Sequence, residues 1–309
     1  MKIAHLSDLH ICPKFKRKNI AKTKKVIKHA LDSGADHFII TGDIADNAKY
    51  DDFVIFRKIL QSFDLLSAEK TSIVIGNHDI FGGVQTAGDV VNFPSKCSLV
   101  NYKEQVDKFV KYFEELFENT FSPSKENPFP YAKEIDNVVL IGLNSIDEYS
   151  KLKNPFASNG KIDKNQFSHL KKIFDIDAFR EKIKIVLVHH HFYKNNILSK
   201  SSESAVWNRI ENFTMKLRKK KKLLNLFKEN NTELVLHGHS HEIKEYYRKG
   251  IKFLNAGGTV ENDEANEAGY YLLDINENGI DVKLKLVNSS LNNSEIKIKS
   301  EVFVPQYAG

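Results

Sequence analysis

Short apolar runs recur along roughly the first 240 positions, and most of them end abruptly in polar residues. The runs are rich in β-branched residues, which pack well on the pleated surface of a strand. Between the runs, apolar residues recur every three or four positions, as they do in amphipathic helices. Strands that alternate with such helices predict crossover connections and a largely parallel or mixed sheet. The predicted strands cover 3–6, 37–40, 73–75, 138–145, 183–188 and 234–236, and the predicted helices cover 18–32, 50–63, 102–117 and 165–174.

The pattern loosens after residue 82 and changes again after residue 243. Residues 82–100 are glycine-rich and irregular, and three prolines lie between 121 and 130, so we interpret about 82–135 as a lid-like insertion. From about 243 to 309 the residues alternate as in β-hairpins, with a predicted turn at Asn278-Gly279. No internal repeat or low-complexity linker divides the chain, so a single domain over 1–309 is the simplest organisation. The predicted fold class is α/β, with mixed sheets flanked by helices.

The composition adds several constraints. With 309 residues, 41% of them hydrophobic, the chain can bury a large core, and its formal net charge of +6 suits an anionic substrate or surface. Two cysteines, Cys12 and Cys97, are too few for a disulfide scaffold and favour a reducing compartment. The N-terminus does not resemble a signal peptide, and no apolar run reaches the roughly 18 residues of a membrane span. We therefore expect a cytoplasmic protein, with peripheral contact at the inner membrane face left open.

Side chains that can bind metals follow five of the predicted strands. Open α/β sheets bind ligands at the carboxyl ends of their strands, so these side chains are expected to converge. Carboxylate oxygens, an amide oxygen and imidazole nitrogens suit manganese, iron, zinc or nickel. The lack of cysteine among these side chains argues against a thiolate zinc site. Two such metals about 3.5–4 Å apart form a clamp for in-line displacement at phosphorus. The residues are Asp8 and His10, Asp43, Asn77 and His78, His189, and His239 and His241.

The order of these motifs resembles that of the calcineurin-like metallophosphoesterase superfamily. The resemblance covers residues 8–241 and implies an α+β sandwich with a dinuclear site at the carboxyl ends of its strands. Among the branches of the superfamily, the motifs look closest to the cyclic-nucleotide phosphodiesterase-like one. The matching blocks are Asp8-Leu9-His10, Gly42-Asp43-Ile44-Ala45-Asp46, Gly76-Asn77-His78-Asp79, the His189-His190 strand end and Gly238-His239-Ser240-His241.

The resemblance implies two divalent metal ions as cofactors, one bridging carboxylate and one histidine that is not a ligand. His78 is similar to that histidine, which acts as general acid on the leaving oxygen, and Asp46 resembles the carboxylate that orients it. Asp43 resembles the bridge between the metals. The other implied ligands are Asp8, His10 and His241 for the first metal and Asn77, His189 and His239 for the second.

Three positions depart from the family pattern. Phosphoprotein phosphatases carry an arginine directly after the second aspartate of the second block, whereas this chain has Asn47, which disfavours that branch. Ile75 stands where a proline usually precedes the third block. The fourth block often continues to a proline but here runs into further histidines, so His190 remains the alternative to His189 as the ligand.

The resemblance implies a metal-dependent phosphoric ester hydrolase that cleaves a P–O bond with a hydroxide generated between the two metals. A phosphodiester is the expected substrate, because the branch resemblance points there. The alternatives are a lipid-linked nucleotide pyrophosphatase of the UDP-diacylglucosamine type at a membrane surface, and a nuclease. A non-catalytic interaction module is a more distant alternative, because members that lost catalysis lost ligands, and here all the expected ligands are present.

One basic block lies outside these motifs. It is either a solvated helix face or a surface that docks on an anionic membrane or on nucleic acid, where each cation contributes roughly 1 kcal/mol. The sequence leaves protein partners undefined. The block consists of Arg218, Lys219, Lys220, Lys221 and Lys222.

Overall fold

A computed structural model describes residues 1–84, 87–193, 215, 217–260, 267–277 and 279–288. The strands are β1 (Lys2–Leu6), β2 (His37–Thr41), β3 (Thr71–Val74), β4 (Tyr131–Ile135), β5 (Val138–Gly142), β6 (Gly160–Lys161), β7 (Ile183–Leu187), β8 (Leu217–Arg218), β9 (Thr232–His237), β10 (Ile243–Arg248), β11 (Ile251–Ala256), β12 (Glu267–Asn276) and β13 (Gly279–Asn288). The helices are α1 (Arg17–Asp32), α2 (Tyr50–Ser62), α3 (Asn77–Phe81), α4 (Ala87–Ser98), α5 (Tyr102–Tyr112), α6 (Lys164–Phe174) and α7 (Lys220–Glu229).

The strands form two large mixed sheets, as the alternation of strands and helices predicts. The first has the order β13-β12-β1-β2-β3, in which β1, β2 and β3 are parallel to one another. The second has the order β10-β11-β9-β7-β5-β4, in which β5, β7, β9 and β11 are parallel. The parallel strands of each sheet therefore end on one edge, and this edge carries the loops that hold the predicted ligands.

Alternating side chains of the second sheet face two different hydrophobic cores. In β5, Leu140 packs into a core shared with the first sheet, whereas its neighbour Ile141 packs on the opposite side. Leu170 of α6 and Phe227 of α7 belong to that outer core. Because side chains in a strand alternate between faces, the continuous apolar run of β5 is buried on both sides.

Several predicted elements are confirmed with small shifts. Helix α6 begins at Lys164, and the side chain of Asp163, the predicted cap, accepts a hydrogen bond from the backbone N–H of Gln166 at 2.8 Å. The predicted hairpins after residue 243 are the pairs β10–β11 and β12–β13. The rest of the predicted hairpin region, from residue 289 onward, and Asn278 of the predicted turn lie outside the described residues.

The region interpreted as an insertion is more regular than the sequence suggested. The prediction of irregular structure over 82–100 is wrong for 87–98, which form α4 with Pro94 inside it. Phe93 and Cys97, four positions apart, are buried on one side of α4, but the neighbouring glycine and proline obscure that spacing. The helix expected over 102–117 is α5, which ends at Tyr112, and a separate 3-10 helix over Glu114–Phe117 follows it. The lid role of this region stays a prediction.

Among the helices of the described ranges, none combines the length and the apolar character needed to cross a lipid bilayer.

Candidate metal centre

The predicted ligands lie just beyond the carboxyl ends of parallel strands from both sheets, in loops except for Asn77, which is the first residue of α3. Backbone hydrogen bonds join the loops after β1 and β2: Asp8 N–H donates to the carbonyl of Gly42 at 3.1 Å, and His10 N–H donates to that of Asp43 at 3.0 Å. The loop after β9 joins them, because His239 N–H donates to the carboxylate of Asp8 at 3.0 Å. The ligands are therefore positioned by main-chain contacts as well as by their own side chains.

Five of the predicted ligands have left-handed backbone conformations, which residues other than glycine rarely adopt. Each such residue costs roughly 1–2 kcal/mol of backbone strain. Strain of this kind tends to concentrate where function requires a particular side-chain direction. The residues and their φ angles are Asp8 (54°), His10 (44°), Asp43 (50°), His239 (77°) and His241 (48°).

Asp8, His10 and His241 form one group, which we name the Asp8 cluster. One side-chain ligand atom from each residue lies within 4.8 Å of the others. The Nε2 atoms of His10 and His241 are 3.1 Å apart, and His241 Nε2 lies 3.7 Å from Asp8 Oδ1. Asp8 and His10 are fully buried, whereas the side chain of His241 is 41% exposed, so this cluster faces the exterior through His241.

Asp43, His189 and His239 form the second group, which we name the Asp43 cluster, and its members are buried. His189 Nε2 lies 3.0 Å from His239 Nδ1 and 3.1 Å from Asn77 Oδ1. Asp43 Oδ2 lies 3.4 Å from His189 Nε2 and 3.9 Å from His10 Nε2 of the Asp8 cluster. A single carboxylate oxygen thus stands between the two clusters.

The arrangement of donors fits divalent cations. Two imidazole nitrogens that face each other at about 3 Å both direct lone pairs to one point, and a cation there satisfies both. His189 Nδ1–H donates to the carbonyl oxygen of Thr41 at 2.8 Å, which leaves Nε2 as the atom aimed into the cluster. His10 Nδ1 lies 3.1 Å from Asp46 Oδ1, and this contact leaves His10 Nε2 as the atom aimed into the Asp8 cluster.

The ionisation of the groups in the Asp43 cluster also favours the binding of a cation. Burial opposes ionisation of Asp43, but His189 and His78 outweigh it and hold the pKa of the carboxyl well below its usual value. Burial likewise disfavours the charged form of His189, but the Asp43 carboxylate outweighs it and raises the pKa of the imidazole to about 9. An ionised carboxylate that draws protons onto neighbouring imidazoles is a site with high affinity for cations, and metal binding there releases those protons.

His78 lies beside both clusters and contacts Asp46 twice. Its Nδ1–H donates to the backbone carbonyl of Asp46 at 3.1 Å and lies 3.6 Å from the carboxylate Oδ1. Burial disfavours the charged imidazole, but Asp43 and Asp46 outweigh it and raise the pKa of His78 to about 9. The Asp46 carboxylate is closer to His10, at 3.1 Å, than to His78, so it contacts a predicted ligand as well as the predicted acid.

The neighbouring histidines are engaged elsewhere. His190 Nδ1 lies 2.8 Å from Ser145 Oγ, and its Nε2–H donates to the carbonyl of Ser158 at 3.2 Å. The structure thus brings His189, and not the alternative His190, to the Asp43 cluster. His237 is buried, with Nε2 at 2.7 Å from the hydroxyl of Tyr246.

Two residues near the centre escaped the sequence-based predictions. Lys16 Nζ lies 3.0 Å from Asp46 Oδ1. The hydroxyl of Tyr193 lies 2.5 Å from Oγ of Ser240, the residue between His239 and His241. Asp79, by contrast, belongs to one of the predicted motifs, and it accepts backbone N–H bonds from Ala45 and Gly76, both at 2.8 Å. No local pattern marks Lys16 or Tyr193, because their partners are distant in sequence.

The paired clusters of carboxylate and imidazole groups can hold metal ions. The profile of the family described as calcineurin-like phosphoesterase matches residues 1–242, and the chain belongs to that family. The match covers every motif of the candidate centre, and the family is one of dimetal phosphoesterases, so the chain is a metal-dependent phosphoester hydrolase.

Solved structures agree on the fold. Purple acid phosphatase PPD1 from yellow lupin (Lupinus luteus) seeds aligns with a TM-score of 0.55 and 13% identity, over 94% of this chain and 51% of that one. A dimetal phosphatase from Danio rerio aligns with a TM-score of 0.52 and 12% identity, over 94% and 99% of the two chains. At these identities the likeness shows the fold alone. No curated protein matches the chain.

Proposed function

We propose that the protein is a dinuclear phosphodiesterase in which Asp43 would help to hold both of two divalent cations and His78 protonates the leaving oxygen. The observation that carries the proposal is the position of Asp43 Oδ2, 3.4 Å from His189 Nε2 and 3.9 Å from His10 Nε2. A carboxylate between two sets of imidazoles is the arrangement that a bridged metal pair requires.

The residues that would hold the cations divide between the clusters. Asp8, His10 and His241 would hold one, and Asn77, His189 and His239 the other, with Asp43 shared. When bound, two divalent cations would polarise the phosphoryl oxygens and activate water for in-line attack on phosphorus. The donor set of carboxylate, amide and imidazole groups suits manganese, iron, zinc or nickel.

His78 has the features of a general acid. The backbone carbonyl and the carboxylate of Asp46 engage Nδ1, which leaves Nε2 free to face a substrate. Its side chain is 25% exposed, so a leaving group can reach it, whereas the ligands of the Asp43 cluster are buried. The nearby carboxylates favour the protonated ring near neutral pH, which is the state an acid needs before the reaction.

The proposal of a phosphodiester as the substrate rests on the resemblance to the phosphodiesterase-like branch. The second candidate is a lipid-linked pyrophosphatase that works at an anionic membrane surface, and the basic block favours it. Lys219, Lys221 and Lys222 of this block are exposed, whereas Lys220 Nζ donates to the carbonyl of Tyr193 at 2.9 Å. Because the Tyr193 hydroxyl contacts Ser240, between His239 and His241, the exposed lysines lie at the N-terminal end of a helix, α7, that is attached to the rim of the centre.

The acid role is tested by His78→Ala, with His169→Ala on α6 as the matched histidine control. Turnover of a dialkyl phosphodiester, whose alkoxide leaving group needs a proton, should fall by about 10²–10⁴-fold in His78→Ala with added manganese, because a positioned general acid contributes about that much. The metal content of the variant should stay at two ions per chain. Unchanged turnover in a variant that retains both metals would rule out the acid role.

A substrate screen separates the two candidates. The purified protein is given manganese and tested on cyclic nucleotides, oligonucleotides, nucleotide-linked lipids in mixed micelles and aryl diesters. A preference for diesters supports the phosphodiesterase, and a clear preference for the lipid pyrophosphate replaces it with the second candidate. Lys221→Ser and Lys222→Ser together should lower activity on the micellar lipid alone if the basic block binds the surface.

A further inference from the structure

The carboxylate of Asp46 is a buried anion that contacts two imidazoles, those of His10 and His78. Its side chain is 1% exposed, and burial opposes its ionisation, but hydrogen bonds with His10 and His78 hold its pKa well below the usual value. One oxygen, Oδ1, lies 3.1 Å from His10 Nδ1 and 3.6 Å from His78 Nδ1. Small rotations of this carboxylate would shift contact from one ring to the other, so its orientation needs a further restraint.

Lys16 supplies such a restraint. Its Nζ lies 3.0 Å from the same Oδ1, and its side chain is 30% exposed, so the ammonium group closes the solvent side of a buried carboxylate. An ammonium at this distance stabilises the ionised form of Asp46 without being a candidate ligand or the acid itself. On the other oxygen, Asn47 Nδ2 lies 3.4 Å from Oδ2.

The backbone holds Lys16 in place over Asp46. Residue Ile11 pairs with Ala45 in a parallel bridge, which attaches the loop after β1 to the loop that carries Asp46. Lys16 N–H then donates to the carbonyl of Cys12 at 2.9 Å and closes a tight turn over residues 12–16. Lys16 therefore reaches the centre from an ordered turn immediately before α1, not from a long free loop.

We propose that Lys16 is a positioning residue for leaving-group protonation, acting through Asp46 on His78. By fixing the carboxylate, Lys16 keeps both His10 and His78 in the tautomers that leave their Nε2 atoms facing the reaction. The inference rests on the proposed acid role of His78.

The expected signature is a dependence on the leaving group. A nitrophenolate departs without help, whereas an alkoxide needs a proton as the bond breaks, so only the second reaction depends on a well-positioned acid. Lys16→Met keeps most of the unbranched side chain and removes its charge. We expect kcat for a dialkyl phosphodiester to fall about tenfold or more, with little change in KM, while kcat for bis-nitrophenyl phosphate changes by less than about threefold.

The experiment compares Lys16→Met, Lys16→Gln and Lys16→Arg with Lys14→Met, the exposed neighbouring lysine, on both substrates and with the metal content measured. Recovery of alkyl-ester turnover in Lys16→Arg, together with two metals per chain throughout, supports the proposal. Equal losses on both substrates, loss of metal, or no loss in either neutral variant overturns it.

His78→Ala on the same two substrates separates this proposal from the one on which it rests. If His78→Ala loses alkyl-ester turnover selectively and the neutral Lys16 variants do not, only the role of Lys16 fails. If His78→Ala shows no selective loss, the acid role itself fails, and the role of Lys16 with it.

Discussion

A methyl group at position 76 tests how closely the centre is packed around its bridging carboxylate. Gly76 ends the approach of β3 to the candidate centre, and a Cβ there would lie 2.2 Å from both the backbone nitrogen and the Oδ1 atom of Asp43. Ordinary van der Waals contact begins at 3.4 Å, so Gly76→Ala must separate these groups by about 1.2 Å. Side-chain rotation cannot provide this, because one of the two atoms belongs to the main chain.

The expected loss follows from that displacement. A misplacement of about 1 Å at reacting groups costs about 10²-fold in rate, so kcat/KM of Gly76→Ala should fall by about that factor. Overpacking typically costs about 1–3 kcal/mol of stability, which leaves a protein of this size folded. Affinity for the second metal should fall as well, because Asp43 and the neighbouring Asn77 move together.

The assay measures kcat/KM on an aryl diester over a manganese titration, with thermal unfolding measured in parallel. Gly250→Ala is the control for an added methyl group, since a Cβ there meets nothing within 4 Å. Its φ of 83° adds backbone strain that position 76, with a φ of −108°, does not have, so the control is the harsher of the two for the backbone. The control should lose some stability and keep its activity. If Gly76→Ala stays within a few-fold of the unmodified protein at every manganese concentration, the close approach to Asp43 does not constrain the centre, and the reasoning fails.

Two further predictions concern stability away from the centre. Lys133 is buried and donates to the carbonyls of Ala68, Thr71 and Leu116 at 2.8, 2.9 and 3.0 Å. Because Lys133→Met leaves these carbonyls without their donor, it should lower the free energy of unfolding, measured in urea, by about 3 kcal/mol or more. A loss below about 1 kcal/mol would contradict this. Burial lowers the pKa of His37 to about 3 in the folded protein, from 6.5 in the unfolded chain. Between these two pH values the unfolded state binds more protons than the folded state. The free energy of unfolding should therefore fall as the pH drops from 6.5 towards 3. His37→Asn should flatten that slope in urea titrations at several pH values, and an unchanged slope would show that His37 is not its source.

The features that could be predicted from the sequence are those whose signal is local. The strand that ends at Gly76 is visible because β-branched residues stop abruptly at polar ones, and the same holds for the strand before His189. The convergence of the strand ends follows from the geometry of parallel strands, which requires no knowledge of side-chain contacts. That is why the clusters at Asp8 and Asp43 agree with the grouping that the family resemblance implied.

What escaped prediction depends on contacts between distant residues. The position at the strand end favoured His189 as the ligand but left its neighbour His190 as an alternative, and the packing of His190 against Ser145, 45 positions away, separates them. Lys16 and Asp46 are brought together by two loops from neighbouring strands, and no spacing rule indicates that pairing. Helix α4 was missed for a local reason, because its glycine and proline argue for a loop while the burial of Phe93 overrides them.

The central claim, a metal pair bridged by Asp43, is tested most directly by anomalous diffraction from crystals grown with manganese. The account predicts two peaks about 3.5–4 Å apart on either side of Asp43 Oδ2, one beside His10 and His241 and one beside His189 and His239. A single peak, or two peaks that do not share Asp43, would contradict it.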